Sequence, residues 1–164
     1  MKKAVFVFIL ICFGICIAAS CPGSGKVPQV PAKLFFVDAE LNRLLPYEDE
    51  LPDADAGYMA RTALLKLVSG RPENEKIRQI IPTDKKSMTV TLKDNVAYVD
   101  LSSRIKDRIT DSRDIERLFI YQVVDTLTSI KGIRYVRFTI DGEIHKDLLG
   151  YYDMRETYKY TFPE

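Results

Sequence analysis

The chain has 164 residues, with 24 lysines and arginines against 23 aspartates and glutamates, and hydrophobic residues make up 46% of it. This length and composition suit about one domain with its own core, which excludes two large domains. The formal net charge of +1 provides no basic footprint, so nucleic-acid binding is not expected.

The first twenty residues have the pattern of a secretory signal peptide. Lys2 and Lys3 precede an uncharged apolar stretch that runs to Ser20, which corresponds to the charged and apolar regions of such a peptide. Small residues stand directly before Cys21, and this ending resembles the lipobox of bacterial lipoproteins, whose cysteine is acylated and becomes the N-terminus. We therefore predict a lipoprotein signal peptide over 1–20 and a lipid anchor on Cys21, on the extracytoplasmic side of a bacterial membrane. An ordinary secretory cleavage and a retained membrane helix are the alternatives.

The cysteine count agrees with an anchor and excludes a disulfide framework. Cys12 and Cys16 lie inside the apolar segment, so Cys21 is the one cysteine left after cleavage. Residues 21–32 contain Pro22, Pro28 and Pro31, which disfavour helix and central strand. This segment is predicted to be a flexible tether.

The first predicted elements are two strands and a helix. A short apolar run over 33–38 and a weaker one over 44–51, interrupted by Pro46, could pair as a hairpin. Asp53 or Asp55 can cap the helix that follows, which ends before Gly70. Its apolar face comprises Ala56, Ala60, Ala63, Leu64, Leu67 and Val68.

The strongest strand pattern lies between residues 87 and 102. Met88, Val90 and Leu92 alternate with polar residues, and residues 94–95, Asp-Asn, can form a two-residue hairpin turn. Such a turn places Leu92 opposite Ala97, Val90 opposite Val99 and Met88 opposite Leu101. All three cross-strand pairs on one face are then apolar.

A long helix and a last strand complete the predicted order. Asp111 is the predicted cap, and Gly132 ends the helix. The strand over 135–140 turns Val136, Phe138 and Ile140 inward before the turn at 141–142. The order β-β-α-β-β-α-β predicts an α+β fold, a small sandwich of a mixed β-sheet with two helices on one face. The apolar stripe of the long helix comprises Ile115, Leu118, Phe119, Gln122, Val123, Thr126, Leu127 and Ile130.

From about Lys33 to Glu143 these landmarks resemble the GerMN domain of sporulation and spore-germination proteins, which also occurs in other envelope lipoproteins. The resemblance rests on 64–65 with 70–72, on 81–83, on the strand over 97–102, on 126–127 and on the strand and turn over 136–142. Arg71, between the glycine and the proline of its loop, departs from the family pattern, as does Asp84. The resemblance implies a fold like the ring-building domains of secretion and sporulation assemblies. It also implies a protein-binding or assembly module with no established catalytic residues and no cofactor.

The sequence offers weak candidates for chemistry. The single histidine, His145, lies near Glu143 and Asp147, but it has no spacing typical of zinc. The acidic cluster formed by Glu48, Asp49, Glu50, Asp53 and Asp55 lacks the alternating donors and the glycine of a calcium loop. Ser69, Ser102, Ser103 and Thr110 have no nucleophile motif. We expect no catalytic site and no metal site, and we expect Asp100 and Ser102 to satisfy backbone groups at a strand end.

A partner surface is the leading functional prediction. Ile120, Tyr121 and Val124 make the second side of the long helix apolar, and the extension over 144–164 contains Tyr151 and Tyr152. We predict that these five residues contact another protein or a second copy of the chain. For the tail itself we favour a reading in which Tyr158, Tyr160 and Phe162 alternate as a final strand and the extension packs back on the domain, with part of the aromatic patch left for a partner. A cell-wall (glycan or peptidoglycan) binding or hydrolytic accessory protein, which would need a cleft with paired carboxylates, is the competing function.

Overall fold

The computed structural model describes residues 27–70 and 74–161. The predicted signal peptide and the lipidation site at Cys21 lie outside these residues. The described elements, in chain order, are β1 (Gln29–Asp38), β2 (Leu44–Pro52), α1 (Ala56–Ser69), β3 (Ile77–Arg78), β4 (Met88–Lys93), β5 (Val96–Leu101), a 3₁₀ helix (Ser103–Arg108), α2 (Arg113–Thr128) and β6 (Tyr135–Ile140). No helix within the described ranges is long and apolar enough to cross a bilayer.

The strands form two three-stranded sheets. In the first sheet β1 lies between β2 and β3 and is antiparallel to both, and in the second β5 lies between β4 and β6. β4 is antiparallel to β5, whereas β6 is parallel to it. Helix α1 packs on β4 and β2, helix α2 packs on β1 and β6, and the two helices contact each other. The predicted α+β fold is confirmed, with the strands divided between two sheets.

The hairpin of β4 and β5 has the predicted register. Leu92 lies opposite Ala97, Val90 opposite Val99 and Met88 opposite Leu101. Both turn residues have positive φ, 54° at Asp94 and 71° at Asn95, as a two-residue turn of this kind requires.

β1 starts earlier than predicted, at Gln29, so residues 29–32 belong to a sheet and not to a tether. The Phe35 N–H donates to Thr126 Oγ1 of α2 (2.9 Å), and the Lys33 carbonyl accepts from Ser129 Oγ (3.0 Å). Alternate residues of a strand direct their backbone groups to the same side, so Pro31 also faces away from β2. No ladder hydrogen bond is lost there, which explains why a proline is tolerated in this strand.

The two helices differ in how well their starts were predicted. Asp55 caps α1, since its carboxylate accepts from the Tyr58 N–H at 2.9 Å, and the predicted apolar face is buried except for the partly exposed Ala56. The prediction of Asp111 as the cap of α2 is wrong, because that helix begins at Arg113 with Ser112 in the N-cap position. The carboxylate of Asp111 lies instead beside the side chain of Tyr151.

The tail after β6 folds over the domain without forming the final strand that was considered. Tyr158 forms an isolated antiparallel bridge with Val136, with two backbone hydrogen bonds of 2.9 Å. The next contacts of the tail go to a side chain of α2, so the pairing does not continue as a strand. Leu148, Met154 and Tyr158 are buried in the core, and Phe162 lies outside the described residues.

Candidate functional site

Two of the five predicted partner residues are not available to a partner. Ile120 and Val124 are completely buried in the core. The tail packs on this side of α2, which removes the apolar stripe from solvent. The prediction that Ile120 and Val124 contact a partner is therefore corrected: they are core residues.

Glu116 holds the tail against the helix. Its side chain is fully buried, and its two carboxylate oxygens accept three backbone N–H groups. Leu148 and Leu149 donate to Oε1 at 3.2 and 3.0 Å, and Tyr151 donates to Oε2 at 2.9 Å. These bonds satisfy the buried backbone of an irregular segment, which otherwise has no ladder to join. The sequence reading missed Glu116, because a charged side chain in the first turns of a helix usually faces solvent.

A second acidic side chain of α2 fixes the end of the tail. Asp125 is almost fully buried and accepts from the backbone N–H of Thr161 at 3.0 Å and from its hydroxyl. Burial raises the pKa of Asp125, and the hydrogen bonds from Thr161 oppose that rise. The tail is thus attached to α2 at two points, Glu116 and Asp125, which lie about two and a half helical turns apart.

The three tyrosines among the predicted partner residues remain on or near the surface. Tyr151 is 47% exposed, while Tyr121 and Tyr152 are partly buried against the core. The negative charge of Asp111 and a hydrogen bond with it raise the pKa of Tyr151. Burial, and then the neighbouring Tyr152, raises the pKa of Tyr121. The ring of Tyr121 also packs edge-on against Tyr158, with centroids 6.0 Å apart. We call Tyr121, Tyr151 and Tyr152 the tyrosine surface.

The acidic cluster is dispersed by the fold. Asp55 caps α1, Asp49 pairs with Lys66 of α1 at 2.8 Å, and Glu48 lies 3.8 Å from Lys33. Because residues alternate along β2, neighbouring acids of that strand point to opposite faces. His145 is exposed in a loop. Within 27–70 and 74–161, no three aspartate, glutamate, histidine or cysteine side chains are grouped closely enough to hold a metal ion.

The two strand motifs of the family resemblance lie side by side. Parallel pairing of β5 with β6 places Asp100 opposite Thr139. The Asp100 carboxylate accepts from Thr139 Oγ1 at 2.6 Å and from the Gly142 N–H at 2.7 Å. The prediction that Asp100 satisfies a backbone group at a strand end is confirmed for the N–H of Gly142, whereas Ser102 makes no side-chain capping bond to the 3₁₀ helix that follows it. Gly142 has φ +82°, a conformation that favours glycine at this turn.

An apolar groove of about 210 Å³ lies between α1 and β4. Leu64, Leu65 and Val68 of the helix line it together with β4, and Arg61 and Lys85 stand at its rim. Three further grooves on the described surface each contain a single carboxylate, from Asp125, Asp49 or Asp53. The groove beside β4 arises from the packing of a helix on a strand distant in sequence, so the residue pattern alone did not indicate it.

Comparison with known proteins places these features in context. Residues 33–146 match the family described as Germane, sporulation and spore germination. The tandem GerMN domains of the sporulation protein GerM from Bacillus subtilis are similar to this chain, with a TM-score of 0.65 and 23% identity, over 80% of this chain and 46% of that one. The chain therefore spans about half the length of that relative. The first GerMN domain of GerM has a TM-score of 0.57 and 25% identity, over 76% of this chain and 92% of that one.

A third solved structure with this fold is a "Putative Lipoprotein" from Clostridium perfringens. It has a TM-score of 0.54 and 18% identity, over 82% of this chain and 89% of that one. A comparison with curated protein sequences gives no match.

Proposed function

The chain belongs to the Germane family of sporulation and spore-germination domains, and from this premise we propose that it is a membrane-anchored lipoprotein whose GerMN-type domain binds other proteins outside the cytoplasm. The recognition of a GerMN domain from the sequence motifs is thereby confirmed. The proposed setting is sporulation, germination or envelope assembly.

The lipid anchor is proposed from the sequence that precedes the domain. Lys2 and Lys3, the apolar stretch and the small residues before Cys21 match a lipoprotein signal peptide. A similar fold in a protein described as a "Putative Lipoprotein" supports the same assignment. Acyl chains on Cys21 would hold the domain at the membrane, since each buried methylene contributes about 0.8 kcal/mol.

The observation that carries the proposed binding role is the tyrosine surface. The tail is fixed to α2 by Glu116, and Tyr151 still leaves 47% of its surface in solvent. Aromatic side chains on an ordered segment provide contact area at low entropic cost, which is why they are enriched at interfaces. We propose that Tyr121, Tyr151 and Tyr152 contact the partner.

We propose a role without catalysis. The competing hydrolytic reading needs two carboxylates about 5–10 Å apart in one cleft, and each of the grooves described above contains at most one. His145 stands exposed in its loop. The test is incubation of the purified chain with peptidoglycan, for which we expect no release of soluble fragments.

Anchoring and binding are tested separately in intact cells. Radiolabelled palmitate should label the wild-type chain and fail to label Cys21→Ser. A photo-crosslinking amino acid in place of Tyr151 should capture a protein, whereas the same amino acid in place of Tyr135, which is 41% exposed on β6, should not. Equal capture at both positions would remove the tyrosine surface from the proposal.

The sporulation setting is tested by deletion of the gene in a spore-forming source. If spore yield and germination are unchanged, the sporulation setting is wrong.

Tyr151→Ser tests the same surface without a probe. Tyr151 is 47% exposed, and surface substitutions usually alter stability by about 0.5 kcal/mol or less. We therefore expect recovery of the captured protein to fall while the melting temperature changes by no more than a few degrees. A large fall in melting temperature would assign Tyr151 to the core.

A further inference from the structure

Most sheet edges of the domain are closed by its own residues. The outer edge of β6 is bridged by Tyr158 and by Glu143. The edge of β1 that faces away from β2 is covered by hydroxyl groups of α2, from Thr126 and Ser129, and by the short strand β3. An edge closed in this way cannot pair with a further strand.

The outer edge of β2 is protected by its sequence. Lys33 and Phe35 turn their backbone groups toward α2 and away from β2. The residues of β2 that lie opposite them therefore turn their own backbone groups away from β1, and so does every second residue further along β2. These are Pro46, Glu48, Glu50 and Pro52. The prolines have no N–H, and the Glu50 N–H already donates to Asp49 Oδ1 at 2.7 Å. Two donors are left along this edge, the N–H of Glu48 and that of Leu44 at the start of the strand, opposite Val37.

The outer edge of β4 lacks such protection. In a hairpin with a two-residue turn the residues that flank the turn, Lys93 and Val96, form a hydrogen-bonded pair. The Ser102 N–H bond to the Ser87 carbonyl, 2.9 Å, extends the same alternation to the other end. Met88, Val90 and Leu92 therefore direct their backbone N–H and C=O groups away from β5. Within the described ranges no strand pairs with them.

The groove described above lies along this open edge. A strand added to β4 would point every second side chain toward α1, where Leu64, Leu65 and Val68 line the groove. Leu65 is 46% exposed, so an apolar side chain placed there would cover surface that is now in water. The edge supplies backbone hydrogen bonds and the groove supplies apolar contacts, which are the two components of recognition by strand addition.

The charges at the rim indicate the chemistry of the occupant. Arg61 and Lys85 line the groove, no acidic residue does, and neither cation forms an ion pair within the described part of the chain. Lys86, two residues before β4, and Lys93, its last residue, are also exposed. A partner with carboxylates would be attracted, and a cationic one would be repelled.

We infer that the groove between α1 and β4 binds an extended acidic segment of another protein, with alternating apolar and acidic residues, as an added strand on β4. The inference rests on the proposed function in one respect, namely that the domain binds protein. It names a contact separate from the tyrosine surface, which lies on α2 and the tail.

Other occupants fit the same edge less well. Pairing of β4 with β4 of a second copy would bring together two sets of cations, from Arg61, Lys85, Lys86 and Lys93, at a cost in repulsion. Insertion of β2 from a second copy is opposed by the prolines of that edge. Residues 1–26 of the chain contain no aspartate or glutamate, so they offer no complementary charge.

The test uses the full chain in a mild detergent and a fluorescent peptide of alternating glutamate and valine, about eight residues long, the length of an ordinary strand. The matched control peptide has lysine in place of glutamate. In one further peptide the backbone nitrogens of all valines are methylated, and in another those of all glutamates. Each methylated peptide can therefore donate backbone hydrogen bonds from only one of its two edges. We expect binding by the glutamate peptide and by one methylated form, and no binding by the other form or by the lysine peptide.

Variants locate the site. Arg61→Glu combined with Lys85→Glu should weaken the affinity about tenfold or more, and Leu65→Ser should weaken it at unchanged charge. Lys159→Glu is the control and should have no effect on the affinity. Lys159 is exposed in the tail, next to the bridge of Tyr158 with Val136 on the opposite edge of the sheet. If the two methylated peptides bind equally well, or if the lysine peptide binds as well as the glutamate peptide, the inference is overturned. So would a dimer in sedimentation that Leu65→Ser dissociates, since a second copy would then occupy the edge. The crosslinking at Tyr151 does not depend on any of these outcomes.

Discussion

Replacing Glu116 by glutamine tests whether one carboxylate orders the tail. The two side chains have nearly the same shape, so packing in the buried site is retained. The carboxylate accepts the N–H groups of Leu148, Leu149 and Tyr151. A glutamine offers one oxygen and one NH₂ group, so at least one of the three backbone donors would face another donor.

The expected magnitude follows from that count. A buried donor left without an acceptor costs about 1–3 kcal/mol, and hydrogen bonds to a charged acceptor are worth more than those to a neutral one. Glu116→Gln should therefore lower the free energy of unfolding by about 1–3 kcal/mol in urea, followed by circular dichroism. Hydrogen exchange at the amide of Tyr151 should accelerate more than at Val99 in the central strand β5, because the tail can detach locally.

Asp114→Asn is the matched control. Asp114 is exposed in the first turn of α2 and lies 3.7 Å from Arg117, so its replacement removes the same charge from the same helix end. An exposed pair of this kind contributes about 0–1 kcal/mol. If Glu116→Gln and Asp114→Asn lower the free energy of unfolding equally and leave exchange at Tyr151 unchanged, the reasoning about the tail is refuted.

Three further substitutions are expected to change the free energy of unfolding. Burial raises the pKa of Asp125 in the folded protein, so the folded protein holds a proton there at pH values at which the unfolded chain has released it. The stability of the wild type relative to Asp125→Asn should therefore rise as the pH falls from neutral toward about 3.9, the ordinary pKa of an aspartate. The same stabilisation should be lost when the pH is raised again through the pKa of the folded protein. A flat difference between the two proteins across that range would contradict this. Gln122 is fully buried, and within the described residues neither its Oε1 nor its Nε2 has a hydrogen-bond partner. Gln122→Met should therefore raise the free energy of unfolding by about 1–3 kcal/mol. A lower free energy of unfolding would mean that the amide is hydrogen-bonded. Asp100→Ala removes the acceptor of Thr139 and Gly142 and should lower the free energy of unfolding by about 1–3 kcal/mol in urea, whereas a change within about 0.5 kcal/mol would make those bonds unimportant.

Elements defined by local patterns were predicted well. The register of β4 with β5 follows from a two-residue turn and an alternating pattern, both of which lie within one short segment. The bounds of β6 are those predicted, and the cap of α1 was narrowed to two aspartates, of which Asp55 is used. In each case the residues that decide the structure are close together in the sequence.

The predicted partner residues show where such reasoning fails. Ile120 and Val124 were predicted to contact a partner because they make the second side of α2 more apolar than a solvated helix face needs to be. They are buried because an irregular segment about thirty residues further along the chain packs over the second face. The alternation over 158–162 indicated a tail folded over the domain, but the irregular part over 148–151 has no periodicity. Backbone groups of the tail are satisfied by two acidic side chains, Glu116 and Asp125, whose burial is the reverse of what their residue type suggests.

The amino-acid sequence by itself determined the class of fold, the order of the elements, the registers set by short turns and the motifs shared with the GerMN family, because each depends on neighbouring residues. Tertiary structure alone decided which strand edges are closed and which side chains stay in water. Closure of an edge requires groups from distant segments to meet, as Thr126 meets Phe35 and Val136 meets Tyr158. Such meetings depend on how the whole chain packs, and the outer edge of β4 is open because no strand of the described chain pairs with it.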